Sequence, residues 1–147
     1  MKAKDIMTRN VITVRADDTI ENVTNLLLEH DISGVPVVDD EKKVIGIVSE
    51  TDLIYKDKNI DIPAYFPFLG GYILLESMKK FEKQLKKMAG YKVKDIMSEK
   101  VITINESKEI REVVNTMLNN NINRIPVVND DEKVVGIIAR SDVLRNI

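Results

Sequence analysis

The sequence predicts an α/β (α+β) protein made of two copies of one β-α-β-β-α unit, and three observations carry that expectation. Lys4-Asp5-Ile6-Met7 returns as Lys94-Asp95-Ile96-Met97, and the copies then stay in register without a gap, with roughly 20 of about 50 paired positions identical. Within each copy the apolar spacing switches between strand and helix periods at matching places. Each copy is also too short to bury an adequate core alone, so the two are expected to pack as a pseudo-twofold pair. The chain then divides into a first repeat over 1–56, an insert over 57–92 and a second repeat over 93–147.

Each element follows from local chemistry. Residues 11–14 read as a short β-branched strand, matched by Val101-Ile102-Thr103 in the second copy. Asp17 or Asp18 can cap a helix whose apolar stripe is Ile20, Val23, Leu27 and Leu28. Ser107 is the expected cap of the second helix, which carries Ile110, Val113, Val114, Met117 and Leu118 and ends in Asn119-Asn120-Asn121. The strands Val35-Pro36-Val37-Val38 and Ile125-Pro126-Val127-Val128 are expected to hold proline at their beginnings, where a missing N–H costs least. Their hairpin partners are Val44–Val48 and Val134–Ile138.

Composition removes several classes of function. The net charge of -2 gives no nucleic-acid footprint, and charged residues near the start interrupt any apolar signal run, so a cytoplasmic protein is expected. With no cysteine and one histidine, His30, neither a thiol nucleophile nor an acid–base pair can be assembled, and no enzyme activity or catalytic residue is assigned. Asp39-Asp40-Glu41 and Asn129-Asp130-Asp131-Glu132 lack the spacing and central glycine of a calcium loop and fit hairpin turns, so no metal site is expected.

The last element of each copy begins at Ser49-Glu50-Thr51-Asp52 and Ala139-Arg140-Ser141-Asp142. A serine followed three positions later by a carboxylate fits a helix capping pair. Ala139 is a poor cap, yet Asp142 persists, so the carboxylate is not expected to serve a reciprocal cap alone. The other reading is chemical: a helix start offers N–H groups to phosphate, and a carboxylate accepts hydrogen bonds from ribose hydroxyls.

Gly46-Ile47-Val48-Ser49-Glu50-Thr51-Asp52, the Asp-Ile-Met entry and the Pro-Val-Val strand resemble the motifs of CBS domains, and two copies resemble the CBS pair called a Bateman module. The resemblance covers residues 4–54 and 94–144. It implies a regulatory module that binds AMP, ADP, ATP or S-adenosylmethionine in composite clefts between paired repeats, with no required cofactor. By resemblance one cleft uses Thr13, Ser33, Gly34, Val35 and Pro36 with Arg140, Ser141 and Asp142. The other uses Thr103, Asn123, Arg124, Ile125 and Pro126 with Ser49, Thr51 and Asp52. Ala139 removes a hydroxyl from the first, while Arg140 adds a cation and Gly34 leaves room for a base. Glu50 sets a like charge near any phosphate in the second, and the balance favours the first.

All seven aromatics, Tyr55, Tyr65, Phe66, Phe68, Tyr72, Phe81 and Tyr91, lie at or between the repeat ends. Residues 62–75 form an apolar stretch that falls short of the roughly 20 residues needed to span a bilayer and is broken by proline and glycine. From Ser77 to Ala89, Met78, Phe81, Leu85 and Met88 share one helical stripe opposite several lysines. That stripe is expected to pack on its own module or on a second copy in a homodimer; a regulated partner protein is the alternative, and a membrane surface is not favoured. The expected function is an adenosine-ligand sensor. A scaffold with vestigial clefts, docking a partner through the insert, is the competing reading.

Overall fold

A computed structural model describes residues 1–55 and 91–147. The insert's apolar stretch and the lysine-rich helix expected from Ser77 to Ala89 lie outside them. The elements run α1 (Ala3–Ile6), β1 (Val14–Arg15), α2 (Ile20–His30), β2 (Gly34–Val38), β3 (Val44–Ser49) and α3 (Glu50–Tyr55). The series repeats as α4 (Val93–Ile96), β4 (Ile104–Asn105), α5 (Ile110–Asn120), β5 (Arg124–Val128), β6 (Val134–Ala139) and α6 (Arg140–Arg145). Each copy is therefore the expected β-α-β-β-α unit, preceded by a one-turn helix that ends at the isoleucine of its Lys-Asp-Ile-Met segment. Three-stranded sheets of order β1-β2-β3 and β4-β5-β6 form the frame.

The chain folds into two compact units that interleave the repeats. One holds Met1–Ile12, Val38–Ile45 and Lys100–Ile147; the other holds Thr13–Val37 and Gly46–Glu99. The leading arm of each repeat thus belongs to the unit built on the other repeat.

In the first unit the arm docks by backbone hydrogen bonds. Ala3 N–H donates to the Lys108 carbonyl at 2.8 Å, Lys4 N–H to Glu106 at 3.0 Å, and Ile110 N–H to Met1 at 3.0 Å. Thr8 and Ile137 exchange two bonds of 2.9 and 3.0 Å, extending the sheet beyond β6. Ala3, Ile6 and Met7 enter a core with Ile104, Val113, Met117, Ile125, Val127, Ile138 and Val143. Burying a side chain the size of Ile6 or Met7 stabilises by about 1.5–3 kcal/mol, so the arm is part of this core and no mere appendage. The β2–β3 hairpin tip joins the same unit: Lys43 bridges Lys133, and Val134 N–H donates to the Lys42 carbonyl at 3.0 Å.

The second unit repeats the arrangement. Val93 N–H donates to Asp18 and Lys94 N–H to Ala16, both at 2.9 Å, and Ser98 and Ile47 exchange bonds of 2.9 and 3.0 Å. Its buried side chains include Val14, Ile20, Val23, Leu27, Val35, Val37, Val48, Leu53, Val93 and Ile96.

Local expectations shift where these long-range bonds intervene. The first strand is not residues 11–14 but Val14–Arg15. Helix α2 is capped by Thr19, whose hydroxyl accepts Asn22 N–H at 3.1 Å, rather than by Asp17 or Asp18; Asp18 accepts Arg15 N–H instead. Ser107 does not cap α5: its hydroxyl donates to Asn105 Oδ1 at 2.7 Å, and the Met1 carbonyl takes the Ile110 N–H that a cap would help satisfy. Both long helices end in a left-handed residue, Asp31 or Asn121. Pro36 and Pro126 are the third residues of their strands, not the first. Pro126 is tolerated because β4 pairs only with Val127 and Val128, and its β6 partner Ile137 spends both its N–H and its carbonyl on Thr8, so no ladder bond awaits a donor at position 126. The acidic turns form as expected: Asp39 Oδ1 accepts Glu41 and Lys43 N–H at 2.9 Å, and Asn129 Oδ1 accepts Asp131 and Lys133 N–H at 3.0 Å.

The contact that seats each arm is a methionine on a glycine. A Cβ at Gly136 would lie 2.3 Å from Met7 Sδ and 3.0 Å from Met7 Cβ; at Gly46 it would lie 2.7 Å from Met97 Sδ and 3.2 Å from both Met97 Cγ and the Ser98 carbonyl oxygen. At Gly46 the tightest clash is with the flexible end of Met97 and the Ser98 carbonyl must give only slightly, whereas at Gly136 Met7 is blocked back to its root. Gly136→Ala is therefore expected to destabilise by about 1–3 kcal/mol in urea denaturation and Gly46→Ala by less.

Candidate functional site

Each unit gathers the candidate residues of one repeat, and so holds half of each composite set expected by resemblance. In the second unit, Thr13 precedes β1, Ser33 precedes β2, Gly34, Val35 and Pro36 open β2, and Ser49, Thr51 and Asp52 lie at the β3–α3 junction. Gly34, Val35 and Pro36 are buried, Thr13, Ser33, Ser49 and Asp52 half-buried, and Thr51 exposed. Glu50 N–H donates to the Ser33 carbonyl at 2.9 Å, tying the start of the helix to the loop before the proline strand. Asp52 Oδ2 accepts Ser49 N–H at 2.9 Å and lies 3.3 Å from Ser49 Oγ, which is 2.6 Å from Thr51 Oγ1.

The first unit holds the counterparts. Thr103 precedes β4, Asn123 precedes β5, Arg124, Ile125 and Pro126 open β5, and Arg140, Ser141 and Asp142 begin α6. Arg140 N–H donates to the Asn123 carbonyl at 2.9 Å, repeating the Glu50–Ser33 bond, and its guanidinium also donates to Asn123 Oδ1. Asp142 Oδ2 accepts Ala139 N–H at 2.8 Å, while Oδ1 lies 3.6 Å from Arg145 Nη1.

One finding revises the sequence reading and one adds to it. Asp142 does make half of a capping box, because the bond it accepts comes from the backbone of residue 139 and needs no side chain there; Ala139 is no obstacle to it. Asn123 and Arg140, assigned by resemblance to different clefts, are bonded to each other, as Ser33 and Glu50 are through the backbone. Sequence spacing carries no signal for the first contact, since it closes across 17 positions.

Chemically, each cluster presents a half-buried carboxylate, a helix start, a hydroxyl and an apolar strand with its proline. The units differ most where Glu50 in one faces replacement by Arg140 in the other. Among the described residues no group of three or more histidine, cysteine, aspartate or glutamate side chains is placed to hold a metal ion.

A family model for the CBS domain matches residues 3–59 and 93–147. The chain belongs to the CBS-domain family. It is 31% identical over 151 residues to protein MJ1426 of Methanocaldococcus jannaschii, covering 98% of this chain and 89% of that one. It is also 31% identical to inosine-5'-monophosphate dehydrogenase of the same organism, covering 98% of this chain but only 23% of the enzyme. Among solved structures, CBSX2 of Arabidopsis thaliana in complex with AMP superposes with a TM-score of 0.73 at 26% identity, over 99% of this chain and 94% of that one. The CBS domain pair of protein MJ0100, in complex with 5'-methylthioadenosine and S-adenosyl-L-methionine, gives 0.70 at 25% identity, over 99% and 94%. No described helix is long and apolar enough to cross a membrane.

The capping bond sets a stability expectation for this CBS pair. Asp142→Ala, which orphans Ala139 N–H, is expected to cost about 1 kcal/mol in urea denaturation. Asp142→Asn keeps an acceptor oxygen and is expected to cost less.

Proposed function

We propose that the chain is a non-catalytic regulatory module that binds an adenosine ligand through the two clusters described above. The observation that carries the proposal is the twice-built aspartate at a helix start, bonded into the backbone beside a proline strand, in a family whose members include structures with AMP and with S-adenosyl-L-methionine. Asp52 and Asp142 accept bonds from ribose hydroxyls, and Ser49, Thr51, Arg140 and Ser141 meet phosphate or other polar groups. Thr13, Ser33, Gly34, Val35 and Pro36, with Thr103, Asn123, Arg124, Ile125 and Pro126, hold the base against aliphatic surface and backbone polar groups. Regulation requires that the ligand favour one arrangement of the module over another, since equal affinity shifts nothing.

A scaffold that docks a partner through the insert is the second reading. Ala139, which supplies no hydroxyl, and Arg140, whose guanidinium is engaged with Asn123, favour it for the first unit.

We also propose a homodimer. Helices α5 and α6 expose Leu118 (74%), Leu144 (62%) and Ile147 beyond them (83%), around a groove of about 270 Å³ lined by Val114, Ile122, Val143 and Arg140. A twofold contact would let the same leucines of two copies cover one another.

Protein stripped of bound nucleotide is to be titrated calorimetrically with AMP, ADP, ATP and S-adenosylmethionine. At one hundred times its dissociation constant, the ligand that binds is expected to raise unfolding free energy by about 2.7 kcal/mol. Silence from all four at millimolar concentration would leave the scaffold reading. For the dimer, Leu118→Glu is expected to convert the sedimenting species to monomer without loss of secondary structure; a monomeric wild type would refute the contact.

A further inference from the structure

The clusters have a second support outside the residues proposed to meet the ligand. We infer that the arm residues Met7 and Thr8 are positioning residues for Arg140, Ser141 and Asp142, and that Met97 and Ser98 do the same for Ser49, Thr51 and Asp52. The inference rests on the ligand-binding reading above for its functional meaning, and on backbone geometry for its physical one.

Strand β6 delivers Arg140–Asp142, and it is gripped along both edges. On one side Ile138 and Ala139 pair with Ile125 and Arg124 of β5. On the other, Ile137 exchanges both of its backbone bonds with Thr8, and Met7 lies where a side chain of Gly136 would otherwise stand. The arm itself is anchored at its far end by the Ala3–Lys108 and Lys4–Glu106 bonds. Displacing Met7 releases the edge of β6 immediately before the residues that meet the ligand, and groups held by a loosened support lose affinity without losing their identity.

The same device occurs in the second unit, with Ser98 on Ile47, Met97 on Gly46, and Ser49 following. Both copies of the repeat keep the device although their helix starts differ in charge at Glu50 and Arg140. Met7 is 9% exposed and Met97 more so, which makes the first unit's support the tighter one.

The test uses the full chain with AMP as probe, and Val113→Ala as a control that weakens the same core away from Gly136. Met7→Ala is expected to weaken AMP binding at the site abolished by Asp142→Ala by about tenfold, with Met7→Leu restoring it to within about threefold. The site abolished by Asp52→Ala is expected to keep its affinity, and Val113→Ala is expected to change neither. Met7→Val replaces Met7→Ala if the latter does not fold. Without ligand, Met7→Ala is expected to speed amide exchange at Ala139 and Arg140 more than Val113→Ala does, and to leave Ser49 and Glu50 unchanged. Equal effects of Met7→Ala and Val113→Ala, or losses spread evenly over both sites, would overturn the inference. If wild type does not bind AMP, that ligand assignment fails, and the exchange comparison alone decides whether the arm positions these residues.

Discussion

The structure depends on a backbone exchange: the arm that opens each repeat adds a β-bridge to the last strand of the other repeat's sheet and lodges a methionine against a glycine there. Thr8 on Ile137 and Ser98 on Ile47 are the two bridges, and Gly136 and Gly46 are the two seats. Glycine is needed at both because the arm approaches closely enough that a Cβ would meet sulfur. Methionine suits the role, since an unbranched thioether can follow an irregular surface. A fifty-residue repeat that could not bury enough apolar area by itself acquires Ala3, Ile6 and Met7, or their counterparts, from elsewhere in the chain.

That exchange explains why the candidate ligand residues sit where they do. The last strand of each sheet runs straight into the helix start that carries Asp52 or Asp142, and the aspartate then turns back to bind the N–H of the strand's final residue. The junction is also tied to the loop ahead of the proline strand, through Glu50 to Ser33 or Arg140 to Asn123. The N–H groups of Ser49, Glu50, Ala139 and Arg140 are therefore committed within the fold, while the next N–H groups of each helix start have no partner within the helix. The change from glutamate to arginine between equivalent positions makes the two clusters chemically different on an identical frame.

Much of this was legible in the sequence because it is local or repeated. The proline strands, their hairpin partners and both long helices follow from apolar spacing, and the two Lys-Asp-Ile-Met segments announce themselves by recurring. What they dock on does not follow, since periodicity describes which face is apolar and is silent about which repeat covers it. The missed caps have the same origin. Ser107 was free to pair with Asn105 because an arm carbonyl had taken the Ile110 N–H. Leu28 and Leu118 belong to the helical stripes by spacing, yet both are exposed. The capping role of Asp142 beside an alanine was obscured because side-chain identity at a cap position says nothing about its backbone donor.

The exchange itself is open to one direct measurement. With methyl-labelled methionine and labelled glycine in the full chain, nuclear Overhauser contacts would report which glycine each arm reaches. A contact from the Met7 methyl to the Gly136 α-protons, paired with one from Met97 to Gly46, is the expected result. Contacts from Met7 to Gly46 and from Met97 to Gly136 would mean that each arm returns to its own repeat, and would contradict the account.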